Sequence, residues 1–203
     1  LRLAAPSLAT GQDVAGPGLV LDSLEVYERD RLLISGSNGA GKTTLLRALA
    51  GDFVVQEGVI WRRPGLRFAW LRQEPASESK STLADTFAEA THAYVENAAE
   101  TLLALGLFSP DDLTLRMNEL SVGQRRRMEV AVAVSAPSDI LLLDEPTNHL
   151  SPDLIEQMED ALRDYPGAVL TVTHDRRWRE KALAGGNVQR VHVDLGGLAR
   201  TED

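Results

Sequence analysis

The segment Gly36-Ser37-Asn38-Gly39-Ala40-Gly41-Lys42-Thr43 constrains this chain more than any other stretch. It fits the pattern G-x-x-x-x-G-K-[ST], and it lies between an apolar run, Arg31–Ser35, and a helical run, Lys42–Ala50, that Gly51 closes. Strand, loop and helix in that order form a cradle for phosphate. Glycines let the backbone approach an anion closely, several N–H groups converge at the helix N-terminus, and the helix dipole adds to the attraction. Lys42 contributes a point charge to the β- and γ-phosphates, and the Thr43 hydroxyl can ligate Mg2+. Thr44 continues the run into the helix, so Gly36 to Thr44 is taken as the phosphate-binding set of a nucleotide site.

The rest of the chain supplies a matching framework. With 203 residues and 43% hydrophobic content there is material for one sizeable α/β core. Leu19–Val26, Val54–Trp61, Leu66–Leu71, Asp139–Leu143, Ala168–Val172 and Val188–Val193 read as further strands, with Arg62–Gly65 as a turn. Helices are expected at Val122–Val134, at Asp153–Leu162 with Leu154, Ile155, Met158 and Leu162 inward, and from about Asp175. Strands alternating with helices imply a mainly parallel sheet with its ligand chemistry at the C-terminal edge of the strands. Composition changes after Pro75. Residues 77–117 read as a small inserted helical lobe, with one helix starting at Thr82 behind a Thr82/Asp85 capping box and carrying Leu83, Phe87, Ala90 and Tyr94 along one face. A second is expected at Ala98–Leu107, and Ser109-Pro110-Asp111-Asp112 resembles another helix start.

Several classes are excluded or disfavoured. The chain has no cysteine, hence neither disulfides nor a thiolate metal site. Its apolar runs are too short to span a bilayer. No secretory leader is evident, because Leu1–Val20 is interrupted by Pro6, Gly11, Gln12, Asp13 and Pro17, so a cytoplasmic location is expected. The net charge of −9 disfavours a surface given over to nucleic acid, although arginines cluster at Arg62/Arg63/Arg67/Arg72, Arg125–Arg127 and Arg176/Arg177/Arg179. Each cluster reads most simply as a solvated helix face or strand edge. The first residue is not Met, which fits either a processed product or an excised piece.

Further residues fall where a nucleotide site needs them. Asp144 and Glu145 follow the buried run Ile140–Leu143. A carboxylate at that strand end can hold Mg2+, and the next one, Glu145, can polarise an attacking water as general base. Gln73 ends another strand just ahead of the lobe, where its amide could touch Mg2+ or the water. His174 follows Ala168–Val172 and could donate to the γ-phosphate. Taken singly these residues are ordinary strand-end polar groups; their positions give them weight. Leu120-Ser121-Val122-Gly123-Gln124 opens the helix over Val122–Val134.

In this order, GSNGAGKT, Gln73, LSVGQ, LLLDEP and His174 resemble the Walker A, Q-loop, signature, Walker B and switch histidine of an ABC ATPase. The match runs from Arg31 to about Arg179. The resemblance implies a P-loop NTPase of ABC type: α/β, with a mainly parallel sheet core, an N-terminal β part and the inserted lobe. Residues 1–203 would form a single ABC domain, with 1–76 and 118–203 as nucleotide-binding core and 77–117 as lobe. It also implies ATP as substrate, with Mg2+ near Thr43, Gln73 and Asp144, and Glu145, His174 and Gln73 as the catalytic set. Ser121, Val122, Gly123 and Gln124 would act in trans, gripping the nucleotide held by a second ABC domain.

Glu145-Pro146-Thr147-Asn148-His149-Leu150-Ser151 is similar to ABC-F proteins, soluble ATPases with two ABC domains in one chain that act on the ribosome, some actinobacterial members conferring antibiotic resistance. Gln124–Arg127 and the stretch from Tyr165 to Arg177 resemble the C-terminal ABC domain of that group. The implied partners are an N-terminal ABC domain in the same parent chain and, through the parent, the ribosome. The alternatives are the nucleotide-binding subunit of a membrane transporter, paired with its membrane domain, and an ATP-gated scaffold with little turnover. Three departures stand out. Val122 replaces the usual second signature glycine, Ser151 stands where many members have an aspartate, and no aromatic residue lies in Leu1–Val26 to stack on adenine.

Overall fold

The computed structural model describes residues 2–8, 19–20, 23–52, 57–72, 80–148, 150–184, 188–194 and 197–201. Two sheets flank the first helix. The smaller is antiparallel: β1 (Arg2–Leu8) pairs with β2 (Leu19–Val20), β3 (Ser23–Glu25) and β5 (Glu57–Trp61). The larger contains β4 (Arg31–Ser35), β6 (Phe68–Leu71), β7 (Ile140–Asp144), β8 (Ala168–Val172), β9 (Val188–Asp194) and β10 (Gly197–Thr201), in the order β10-β9-β4-β8-β7-β6. All its pairings are parallel except β10 with β9. The mainly parallel core and the N-terminal β part are therefore present.

Helix α1 (Lys42–Ala50) lies between the sheets. Its Leu45, Leu46 and Leu49 are buried with Leu32 and Ile34 of β4, Leu142 of β7, Leu170 of β8 and Leu24 of β3. The strand faces that point away from α1, with Leu141, Leu143 and Val169, are covered by α4 (Val122–Ser135), α5 (Pro152–Arg163) and α6 (Arg176–Ala184) through Val130, Met158, Leu162 and Trp178. Burial on both faces explains why β7 and β8 read as mostly apolar runs, broken within β8 only by Thr171, rather than alternating ones.

Helices α2 (Leu83–Thr91) and α3 (Val95–Ala104) form a second cluster with Leu107, Phe108 and Met117. That cluster also takes in Leu120, Met128 and Ala131 from the start of α4, and Leu154 of α5. The signature helix thus belongs to two cores at once.

Element boundaries differ from expectation where local signals are weak. The strand expected over Leu19–Val26 is two pieces, whose partners on β1 (Leu8↔Leu19 and Arg2↔Glu25) keep one register. β1 itself is unexpected, because Ala4, Ala5 and Pro6 are poor strand formers. So is β10, a short edge strand. Tyr94 does not continue the face of the first lobe helix. That helix stops at His92, which is left-handed at φ 57°, and Tyr94 becomes the exposed N-cap of α3, which starts earlier than expected. The helix start at Ser109 is a 3-10 turn over Pro110–Thr114, with Asp112 accepting from the Ser109 N–H at 2.8 Å.

Candidate nucleotide site

Gly36 follows β4 and its φ of 151° is outside ordinary L-residue territory. A Cβ there would run into the backbone carbonyl of Val193 on β9, so the loop can leave the sheet at this point only as glycine. Gly41 is the N-cap of α1 at φ 91°, which turns the loop into the helix without a side-chain cap. The N–H groups at that helix start are therefore not taken up by a capping side chain. Lys42, nearly buried, folds back so that its Nζ donates to the carbonyls of Gly36 at 2.9 Å and Ser37 at 2.8 Å. Burial pulls its pKa down, and the carboxylates of Glu145 and Asp144 push it back up.

Those two carboxylates arrive from β7, two strands away from β4 in the sheet order. Asp144 is 2% exposed. Its pKa is raised mainly by desolvation and, more weakly, by Glu145, against a hydrogen bond from the Thr43 hydroxyl and the charges of Lys42 and Arg126. The Thr43 hydroxyl thus acts on the Asp144 carboxylate, a proximity that sequence spacing could only imply. Glu145 takes a left-handed backbone at φ 48°, which is costly for a non-glycine residue, and its N–H donates to the Val172 carbonyl at 2.9 Å. The turn aims its carboxylate at the end of β8. There it accepts the His174 N–H at 3.2 Å and faces the His174 Nε2 at 3.6 Å. Thr173 fixes that turn, its hydroxyl accepting the Asp175 N–H at 3.0 Å.

The donor set suits Mg2+. It offers a hydroxyl and a carboxylate, hard oxygen ligands of the kind that hold this ion together with substrate phosphates. Gln73, expected to join them, lies outside the described residues, as does His149. Among the described residues there is no cluster of three or more His, Cys, Asp or Glu that could hold a metal ion alone. A cavity of about 700 Å³ opens elsewhere, among Arg31, Tyr165, Trp178 and Lys181, and none of the expected site residues lines it.

The signature is built separately. Ser121 caps α4, its hydroxyl accepting the Gln124 N–H at 3.2 Å while Gln124 Oε1 accepts the Ser121 N–H at 3.0 Å. Gln124 also donates to Asp112 of the lobe at 3.3 Å. Val122 is 71% exposed. A Cβ at Gly123 would meet no described atom within 4 Å. Ser151, the other departure, caps α5 through the Leu154 N–H. Tyr27 is exposed, its hydroxyl donating to Glu25 at 2.6 Å.

The arginine clusters divide among different tasks. Arg62 caps the C-terminus of α1 by donating to the Leu49 carbonyl at 3.0 Å and to Ala48. Arg63 and Arg67 pair with Asp139. Arg126, expected on a solvated face, is instead 6% exposed and sits beside the site. Sequence reasoning does not find it, because a run of three arginines at the start of a helix carries no mark of which one turns inward.

The family model described as ABC transporter matches residues 21–148. The chain belongs to the ABC family. It is an ABC ATP-binding domain, with a sheet and helices of P-loop α/β type. Its curated relatives include the tylosin resistance ATP-binding protein TlrC of Streptomyces fradiae, 47% identical over 87% of this chain and 32% of the relative. They also include the ribosome protection protein VmlR of Bacillus subtilis, 33% identical over 77% of this chain and 28% of that protein. The ABC-F resemblance read from the sequence agrees with these relatives. The chain spans about a third of their length. Among solved structures, the ATP-binding cassette MJ0796, in a dimeric post-hydrolysis state bound to ADP and Pi, superposes with a TM-score of 0.77 at 19% identity over 100% of this chain and 97% of that one. At that identity the likeness speaks for the fold.

Proposed function

We propose that this ABC domain is the C-terminal half of an ABC-F-type protein: it binds ATP with Mg2+ and hydrolyses it only when a second ABC domain, N-terminal in the same parent chain, completes the site. On this reading residues 1–203 are one domain, with 77–117 as its lobe, working in the cytoplasm and, through the parent, on the ribosome.

The observation that carries the reading is the contrast in how the two motif segments are held. Gly36–Thr44 is held against β9 at Gly36 and against Asp144 at Thr43, and it opens α1 without a capping side chain. Within Ser121–Gln124, Ser121 and Gln124 cap α4, but Val122 is exposed and Gly123 has open space around it, so no packing among the described residues calls for those two. The resulting roles are specific. Backbone N–H groups at the start of α1 and Lys42 bind the phosphates, and Lys42 gives up its loop carbonyls to do so. Thr43 and Asp144 are the ligands offered to Mg2+, with Gln73 a further one. Bound there, the metal would neutralise negative charge on the phosphates. Glu145 takes the proton of the attacking water, and His174, held within reach of that carboxylate, orients the water and the γ-phosphate.

The test is ATPase activity of the isolated chain over a wide range of protein concentration, with and without the parent's N-terminal half. Turnover is expected only with the second half present. Robust turnover by the chain alone, independent of its concentration, overturns the half-site. Ribosome co-sedimentation of the full-length parent carrying Glu145→Gln with ATP tests the ABC-F role, and co-purification with a membrane domain instead points to a transporter subunit.

A further inference from the structure

We propose that Arg126 is a positioning residue that couples the signature end of α4 to the strand ends carrying Asp144 and Glu145; the inference rests on the ATP-binding reading above. Arg126 lies two residues past the signature and is the one member of the Arg125–Arg127 run that is buried, at 6% exposure. A guanidinium stays charged, and burying it without full hydrogen bonding is costly. An apolar residue would fill this position at lower cost if packing were the sole need.

The contacts show where the guanidinium reaches. Its Nη1 donates to the backbone carbonyl of Arg72 at 2.6 Å and to Glu129 Oε2 at 2.9 Å, one turn along α4. Arg72 is the residue that follows β6. Because β6 pairs in parallel with β7 up to Leu71↔Leu143, Arg72 comes level with Asp144. The charge of Arg126 accordingly acts on the Asp144 carboxylate. One rigid fork therefore ties the signature helix to the sheet edge where the catalytic carboxylates emerge.

The fork is also incompletely used. Nε and Nη2 of Arg126 are buried with no acceptor among the described residues. These two buried donors leave the fork able to take up a further carbonyl or carboxylate if α4 moves against the β6 end. A link that served packing alone would need no such spare bonding capacity. Arg126 instead makes the position of the signature respond to what happens beside Asp144.

Amide hydrogen exchange on the intact chain, with and without Mg-ATP, tests this. In the wild type, nucleotide should slow exchange at residues 36–46 and also at 122–128. Arg126→Met, which keeps bulk and helix propensity, should retain the slowing at 36–46 and lose it at 122–128, and Arg126→Lys, which can still donate to the Arg72 carbonyl, should restore part of it. Thermal unfolding of each variant checks that it is folded. If the Met variant does not fold, Arg126→Gln takes its place with the same expected loss. Slowing at 122–128 that persists in the Met or Gln variant, or is absent from a wild type whose loop is protected, overturns the coupling. Absence of any slowing at 36–46 in the wild type overturns the ATP-binding reading instead.

Discussion

A Cβ placed on Gly36 would collide with the Val193 carbonyl, whereas one placed on Gly123 would meet no described atom within 4 Å. The two glycines belong to segments of equal prominence in the sequence, yet the chain's own packing demands only the first. The difference extends to the surrounding residues. Lys42, Asp144 and Glu145 are each enclosed and bonded within the chain, and their charges act on one another. Ser121 and Gln124 bond to each other, and Gln124 also to Asp112, which fixes the shape of the helix start but leaves its outward face without a contact among the described residues. One segment is explained from inside, and the other requires something outside.

The comparison can be broken most sharply at Glu145. With the second domain supplied, Glu145→Gln should lower kcat by roughly 10²- to 10⁴-fold, the usual contribution of a general base, while ATP binding to the isolated chain persists. Equal losses in both would place Glu145 in binding rather than chemistry. Lys42→Ala should weaken ATP binding by the isolated chain roughly 10- to 100-fold, as loss of a charge-assisted hydrogen bond does, measured by calorimetric titration.

Asp144 gives a smaller effect with a definite pH dependence. Its pKa is raised in the folded chain, chiefly by desolvation, so the folded state holds its proton more tightly than the unfolded state. Stability without metal or nucleotide therefore falls as pH rises from the ordinary carboxylate range through the raised folded pKa, and the loss is complete above it. Asp144→Asn should remove this dependence. The variant should melt higher than wild type at neutral pH in a chelator, with the gap closing as the solution is acidified, and it should lose the Mg2+ contribution to ATP binding. A gap that widens on acidification would contradict the burial argument.

The smallest change is expected at the signature. Val122→Gly should alter the stability of the chain by less than about 1 kcal/mol, as exposed substitutions do, and leave its ATP affinity unchanged. Any effect should appear in turnover with the second domain. A large loss of stability would mean that the signature is held from within after all.

Much of the site is legible in the sequence, and unevenly so. The phosphate loop is continuous along the chain, and its flanking strand and helix carry strong local signals, so position, elements and roles can be read together. The helix start at Thr82, whose hydroxyl accepts the Asp85 N–H, is local in the same way. The pairing of Glu145 with His174, 29 residues apart, rests in sequence on the family resemblance alone and needs the parallel register of β7 and β8 to become a geometry. The left-handed turn at Glu145 is invisible there, since no glycine or asparagine marks it. Arg126 reads as solvated, because nothing local distinguishes it from its two neighbours. In the lobe, α3 starts earlier than its apolar spacing indicates, since His92 and Tyr94 end one helix and begin the next without glycine or proline.

What the sequence determined by itself is therefore whatever depends on contacts a few residues apart: the phosphate loop, the helix caps, the buried strands and the order of the motifs. What only the tertiary structure decided is which strand ends meet. The sheet order places β8 beside β4 and β7 beside β8, bringing Thr43 to Asp144 and Glu145 to His174, and it carries the end of β6 to Arg126. The physical reason is that a sheet is closed by hydrogen bonds between distant segments, whose partner and register are chosen by the burial of whole faces rather than by any residue's neighbours.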